Sequence, residues 1–203
     1  MDESVLIQQA QKGDLDAFNQ LVMLYQTQVY NLSCRMMSDT MLADDVTQET
    51  FINAYQHLKS FRGGSFRAWL LRIASNNCYD ELRRTKRKPA QDLNPVDPDS
   101  GEEVEDPVWL TDDGELPEDF VHSRELEDAI QRCIDQLQAQ FKAILIMVDV
   151  QGMDYKEASQ AADTPVGTIR SRLARARDRV QRCLQGFTEL LPAKYRLKDG
   201  NAR

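Results

Sequence analysis

The chain has 203 residues, 41% of them hydrophobic and 29% charged, with 25 Lys and Arg against 33 Asp and Glu for a formal net charge of −8. This composition suits one large domain or two small ones and excludes a disordered polyelectrolyte or a collagen-like chain. It also excludes stable membrane insertion, because no run of about 18 apolar residues exists to cross a bilayer. The start, MDESVLIQQA, has neither the basic nor the apolar region of an export signal, so the chain is expected to be cytoplasmic.

The charge is unevenly placed. Residues 1–88 carry 11 basic and 10 acidic residues, and residues 124–203 carry 14 and 11. Residues 89–123 carry 12 acidic residues and no Lys or Arg, and they hold five of the seven prolines: Pro89, Pro95, Pro98, Pro107 and Pro117. Such a segment cannot bury enough apolar surface to fold alone. It reads as a flexible acidic linker between two compact units, 1–88 and 124–191, with a frayed basic tail at 192–203. The two units are themselves mildly basic and free to meet phosphate.

Both units read as helical, which makes the chain all-α with two small helical domains. Val5, Leu6 and Ala10 recur at helical steps, and Gly13-Asp14 breaks the run. Asp14 is placed to cap a helix through Phe18, Leu21, Val22 and Tyr25 to Met37. After a turn at Ser38-Asp39, a helix from Ala43 to Leu58 carries Val46, Phe51, Ile52, Tyr55 and Leu58 along one side. Gly63-Gly64 marks a loop, and Ser65 can cap a further helix from Phe66 to about Arg84. No alternating strand pattern competes.

In the second unit, Leu126, Ile130, Ile134 and Leu137 keep helical spacing. Phe141, Ile144, Leu145 and Val148 form the next helix, ended by Gln151-Gly152. A short helix through Tyr155, Ala158 and Ala162 leads to a turn at Asp163-Thr164. Thr164 is expected as the N-cap of a final helix running to about Phe187, with Pro165 at the first helical position, where its missing N–H costs nothing. A short helix, a tight turn and a longer basic helix make a helix-turn-helix. Cys34, Cys78, Cys133 and Cys183 show no CxxC spacing and lie in apolar helical patterns, so all four are read as buried thiols in a reducing compartment. His57 and His122 are isolated from them, and neither a metal nor a cofactor is expected.

At 100° per residue, Ile169, Leu173, Ala176 and Val180 share a narrow sector that must face the core. Ser171, Ala174, Arg175 and Asp178 lie opposite, with Thr168 towards the same side. Arg170 and Arg177 lie on one flank, Arg172 and Arg179 on the other. The central face can reach base edges while flanking guanidiniums hold phosphates. In the first unit, Arg62, Arg67 and Arg72 precede Arg83, Arg84, Lys86, Arg87 and Lys88, interleaved with Phe61, Phe66, Trp69 and Tyr79. Rings beside cations suit unstacked bases on single strands, although Trp69 also has the spacing of a core residue. Asp45, Gln48 and Glu49 share a helix face, which is either solvated surface or a dock for a basic helix of a partner.

At these residues the chain resembles bacterial sigma factors of the extracytoplasmic-function type, within the sigma-70 family, over most of residues 6–184. AxDxxQExF (Ala43 to Phe51) resembles the family's helix for the clamp of RNA polymerase. FRGGSFRAWLLRIASNNCYDELRR (Phe61 to Arg84) resembles its minus-ten segment, and YKEASQAADTPVGTIRSRLARAR (Tyr155 to Arg177) its minus-thirty-five helix-turn-helix. The resemblance implies polymerase contacts at Asp45, Gln48, Glu49 and Phe51. It implies minus-ten contacts at Phe61, Arg62, Ser65, Trp69, Asn76, Asp80, Arg83 and Arg84, the loop from Phe61 to Ser65 receiving a base flipped from the melted strand. It implies minus-thirty-five contacts at Thr168, Ser171, Arg172 and Arg175, with Arg170, Arg177 and Arg179 beside them. The implied partners are core RNA polymerase, double-stranded and melted promoter DNA, and an anti-sigma factor, and no catalysis is implied.

Two positions depart from the family pattern. Asp163 stands in a turn where a Leu-Gly pair is common, and it tolerates a left-handed backbone. Ser159 replaces a common apolar residue, which is expected to loosen the short helix. The linker, which would thread the polymerase channels, is long and unusually acidic. A free-standing helix-turn-helix regulator with a partner-sensing first domain also accounts for the second unit, but it leaves the acidic helix and the aromatic-basic helix unexplained.

Overall fold

The computed structural model describes the backbone of residues 2–87 and 117–191 and the side chains of residues 2–87 and 124–191. The linker's path and the tail's role lie outside the described residues, among which every regular element is helical.

The first domain comprises α1 (Glu3–Gln11), α2 (Leu15–Met37), α3 (Thr40–His57), a 3₁₀ turn (Leu58–Ser60) and α4 (Phe66–Arg87). Short polar caps set these boundaries. The Asp14 carboxylate accepts from the amides of Asp16 and Ala17 at 2.9 and 3.1 Å, as expected, and opens α2. Ser38 ends α2 in the left-handed conformation (φ 58°), and Asp39 caps α3 through the amide of Leu42. This two-residue connection folds α3 back on α2. The Ser65 hydroxyl accepts from Ala68 N and starts α4, again as expected.

Leu21, Leu32 and Met36 of α2, Val46 and Ala54 of α3, and Phe66, Leu70, Leu71 and Ala74 of α4 fill the core, with Leu6 of α1 closing one end. α3 turns a different side inward from the one its sequence suggests. Ala43, Val46, Thr50 and Ala54 are buried, whereas Ile52 and Tyr55 are exposed and Phe51 is half-buried. Thr50 can lie inside because its hydroxyl donates to Val46 O and accepts from Asn77.

The second domain comprises α5 (Pro117–Asp135), α6 (Ala139–Leu145) continued by a π-turn (Ile146–Val150), α7 (Tyr155–Ala161) and α8 (Val166–Leu184) with a final 3₁₀ turn. α5 begins at Pro117, inside the segment read as linker, because proline is well suited to a helix's first turn. Ile134, Leu137, Phe141, Ile144, Leu145, Ala158, Ile169, Leu173 and Ala176 form its own core. Thr164 does not cap α8. Its hydroxyl donates back to Ala162 O, and α8 starts one residue later, behind Pro165. Ser159 does not loosen α7: its hydroxyl donates to Thr164 O at 2.6 Å and ties the turn to the helix. Asp163 takes the left-handed conformation (φ 48°) as expected.

Two cysteines are not thiols. Cys133 of α5 and Cys183 of α8 form a disulfide across 50 residues of sequence. Neither spacing nor periodicity could pair them, since only the crossing of the two helices brings them together. Cys34 and Cys78 remain free, and burial pushes both thiols up, that of Cys78 to about 12.

The domains are packed against each other. Ile146, Met147, Met153 and Ala161 of the second domain are buried in continuity with the first domain's core. At one edge the ammonium of Lys142, 6% exposed, donates to Met36 O (3.0 Å) and to Asp135 (2.6 Å). Met36 O belongs to the last turn of α2, where helix carbonyls lack a partner of their own. Asp135 also accepts from Ser38 and Gln131, and Gln131 in turn donates to Arg35 O. Burial raises the Asp135 carboxyl, but these donors outweigh it and hold the group below its ordinary range.

Candidate nucleic-acid interface

α8 presents the arrangement read from its angles. Ile169, Leu173 and Ala176 are buried and Val180 is half-buried, while Ser171, Ala174, Arg175 and Asp178 are exposed on the far side. Its arginines divide into two groups. Arg177 makes two hydrogen bonds to the Asp149 carboxylate (2.9 and 2.5 Å), Arg170 lies over the ring of Tyr155 at 5.4 Å, and Arg179 over that of Phe141 at 5.1 Å. Arg182 pairs with Asp178. Arg175, exposed on the far side, and Arg172, half-buried on the flank, have no ion pair among the described residues. Thr168 is half-buried, and the Ser171 hydroxyl donates to Thr168 O, so the latter is partly engaged by its own helix.

The loop between α3 and α4 builds a different surface. Gly63 and Gly64 both need positive φ (95° and 93°), where a side chain would be strained. Gln11 donates to Leu58 O and Phe61 O and holds the loop's base. Phe61, Phe66 and Trp69 form a cluster with ring centroids 5.4 Å apart, Phe61 edge-on to Phe66. A cavity of about 200 Å³ opens beside them, lined by residues 60–65, Trp69, Arg72 and Gln160. Trp69 is half-buried and serves both readings, packing on the core with one face and lining the cavity with the other. Further along α4, Asn76 is exposed, Asp80 pairs with Arg83 at 3.1 Å and Glu81 with Arg84 at 2.9 Å. Asp80, Arg83, Arg84 and Arg87 line an open groove.

On α3, Asp45, Gln48 and Glu49 are exposed together, whereas Phe51 is half-buried against the core and offers little surface. Sequence reasoning missed Met41, Ile52 and Tyr55, which are exposed on the same face at 78%, 51% and 41%. Positions 41, 45, 48, 52 and 55 follow steps of four, three, four and three, and that spacing could have found them. It also missed what comes to this loop from the other domain: Gln160 lines the cavity, Glu157 accepts from Ser65, and Asp163 pairs with Arg72.

Three comparisons with known proteins bear on this geometry. Residues 21–88 match the family model for Sigma-70 region 2, and residues 127–180 match that for Sigma-70, region 4. The chain is 36% identical over 186 residues to the RNA polymerase sigma-H factor of Pseudomonas aeruginosa, covering 89% of this chain and 92% of that one. It is 37% identical over 187 residues to the ECF RNA polymerase sigma-E factor of Escherichia coli K12, covering 91% and 95%. Among solved structures it is similar to the sigma factor RpoE of Bartonella quintana, determined with the anti-sigma factor NepR (26% identity, TM-score 0.61, covering 82% of this chain and 96% of that one). CnrH in complex with the cytosolic domain of CnrY shares the fold at 22% identity, with a TM-score of 0.65 and coverage of 90% and 96%.

Proposed function

The chain belongs to the sigma-70 family as an alternative sigma factor of the extracytoplasmic-function type, and from that premise we propose residue roles for its three surfaces. The exposed face of α3 docks on the polymerase clamp: Asp45, Gln48 and Glu49 meet basic groups, and Met41, Ile52 and Tyr55 add apolar contact. The cavity of residues 60–65 and Trp69 receives a base unstacked from the minus-ten element. Arg62 and the α4 cations Arg83, Arg84 and Arg87 hold the melted strand's backbone. α8 enters the major groove of the minus-thirty-five element, with Arg172 and Arg175 at base edges and Arg170, Arg177 and Arg179 beside the phosphates. The chain supplies specificity and melting while polymerase supplies catalysis. No described helix is long and apolar enough to cross a membrane, and the protein works in the cytoplasm.

One observation carries this reading. A groove-reading helix and an aromatic cavity sized for an extruded base occur on one chain, so it meets both duplex and melted DNA. A free-standing regulator has use only for the first. The similarity to RpoE, solved with an anti-sigma factor, supports such a partner here as well. Run-off transcription with core polymerase on a promoter library tests the proposal. Added initiation at promoters sharing two spaced elements is the expected result, and its absence would sink it. Asp45→Arg combined with Glu49→Arg should abolish co-purification with polymerase while leaving the circular dichroism of the fold unchanged.

A further inference from the structure

We infer that Asp149 and Tyr155, neither of them on the groove-reading helix, are positioning residues of the minus-thirty-five site: together they preset Arg170 and Arg177 as a two-point clamp for the phosphates of one DNA strand. This rests on the sigma-factor reading of α8. Arg170 and Arg177 share one flank of α8 and stand seven residues apart in sequence, which places them about 10.5 Å apart along the axis. Tyr155, the first residue of α7, serves both. The Arg170 guanidinium lies over its ring at 5.4 Å, and its hydroxyl stands beside Arg177. The Asp154 carboxylate accepts from the amides of Lys156 and Glu157 at 2.7 and 2.8 Å, which fixes where α7 begins and so where Tyr155 stands. Asp149 comes from the π-turn behind α6, in which Gln151 N donates to Ile146 O at 2.9 Å. Turns of that kind concentrate at functional sites.

The pairing keeps one edge of Arg177 for DNA. Its Nε and one terminal nitrogen donate to the two oxygens of Asp149 at 2.9 and 2.5 Å. A guanidinium is planar and carries N–H groups along more than one edge. With the Nε edge on the carboxylate, the edge of the two terminal nitrogens can fork onto a phosphate. Asp149 outweighs burial and holds the Arg177 guanidinium above its ordinary range, with Tyr155 adding to the effect. The fold itself gains little from the pair. The side chains of Arg177 and Asp149 are 53% and 30% exposed, and ion pairs open to water contribute little to stability. What the pair supplies is order. An arginine loose on a helix surface surrenders rotamer freedom when it meets DNA, and one already fastened has less to lose. A carboxylate on a flank that faces phosphate otherwise works against binding, because it repels the same backbone.

Loss of Asp149 therefore has opposite signs under the two roles. If the carboxylate acts as a charge alone, its removal tightens DNA binding; if it positions Arg177, its removal weakens it. Holoenzyme is assembled from core polymerase and each full-length variant, and the anisotropy of a labelled promoter duplex is titrated at several salt concentrations. Asp149→Ala should weaken binding about threefold and lower the salt slope toward that of Arg177→Ala. Asp149→Glu, which keeps the carboxylate, should bind as wild type does. In an Arg177→Ala background the same Asp149→Ala change should lose its cost and bind slightly tighter. Tyr155→Leu should weaken binding about threefold by itself and change nothing once Arg170 and Arg177 are both alanine. Unchanged or tighter binding by Asp149→Ala in the wild-type background, or equal losses with and without the arginines, overturns the clamp and leaves the sigma reading standing. Absence of promoter-specific binding by the wild-type holoenzyme removes that reading and the clamp with it.

Discussion

Two long basic helices carry the proposed nucleic-acid surfaces, and they are anchored in opposite ways. α4 buries Phe66, Ala68, Leu70, Leu71, Ala74, Ser75 and Cys78 in the middle of the first domain, while α8 buries only Ile169, Leu173 and Ala176. The difference follows from what each presents. α4 offers DNA a loop at one end and a cluster of cations at the other, so its centre can belong to the core. In the proposed role α8 lays much of its length in a groove, which fits its narrow apolar stripe. Its hold is supplemented by the guanidiniums of Arg170 and Arg179 over Tyr155 and Phe141, the Arg177–Asp149 pair, and the disulfide at its last turn. α8 is thus fastened at its flanks and end, which leaves its outer face open.

The largest expected effects test that contrast through stability. Leu71→Ala, at a position 1% exposed in the middle of α4, should cost about 4 kcal/mol in urea unfolding of the first domain, within the range for buried leucines. Leu173→Ala should cost less, about 2–3 kcal/mol, because the thin stripe of α8 can relax toward solvent. Equal losses would show that α8 is as deeply anchored as α4. Next in size is the disulfide. Cys183→Ser, or dithiothreitol, should remove about 2–4 kcal/mol from the second domain, since the bond closes a loop of 50 residues, and nothing from the first. Cys34 and Cys78 are free and raised by burial, so they do not confuse the comparison. Hydrogen exchange resolved by domain is the measurement, and unchanged protection of α8 on reduction would mean that the stripe and rings suffice.

The same contrast explains what sequence could show. The stripe of α8 was legible because every third or fourth residue is apolar and most of those between are charged or polar, so periodicity had no competitor. The caps at Asp14 and Ser65 were legible because side chain and amide are within three residues. α3 misled because its apolar residues are divided between two tasks. Ile52 and Tyr55 face outward, while Thr50, satisfied by Val46 O and Asn77, lies inside. Candidate residues of α4 and α8 could be named one by one, but not the fact that Glu157 and Asp163 meet Ser65, Arg67 and Arg72 across about ninety residues. Nor could the Cys133–Cys183 bond be found, because long-range pairing leaves no trace in local spacing.

The smallest effects separate two kinds of arginine within α8. Arg172 and Arg175 lack an ion pair among the described residues, and both are proposed to reach a base in the groove. Arg172→Ala and Arg175→Ala should each cost about 1–3 kcal/mol against the preferred minus-thirty-five duplex and relax specificity at one base pair. Arg177 is held by Asp149 through two hydrogen bonds, which orient it beside the groove. Arg177→Ala should therefore weaken all duplexes alike, by less than about 1 kcal/mol, with the salt slope reduced by about 1. Anisotropy titrations on the preferred duplex and single-base variants, repeated at several salt concentrations, distinguish these patterns. A base-specific loss on removing Arg177 would mean that the Asp149 pair breaks on binding, and the flank of α8 would then have to be counted as part of its reading face.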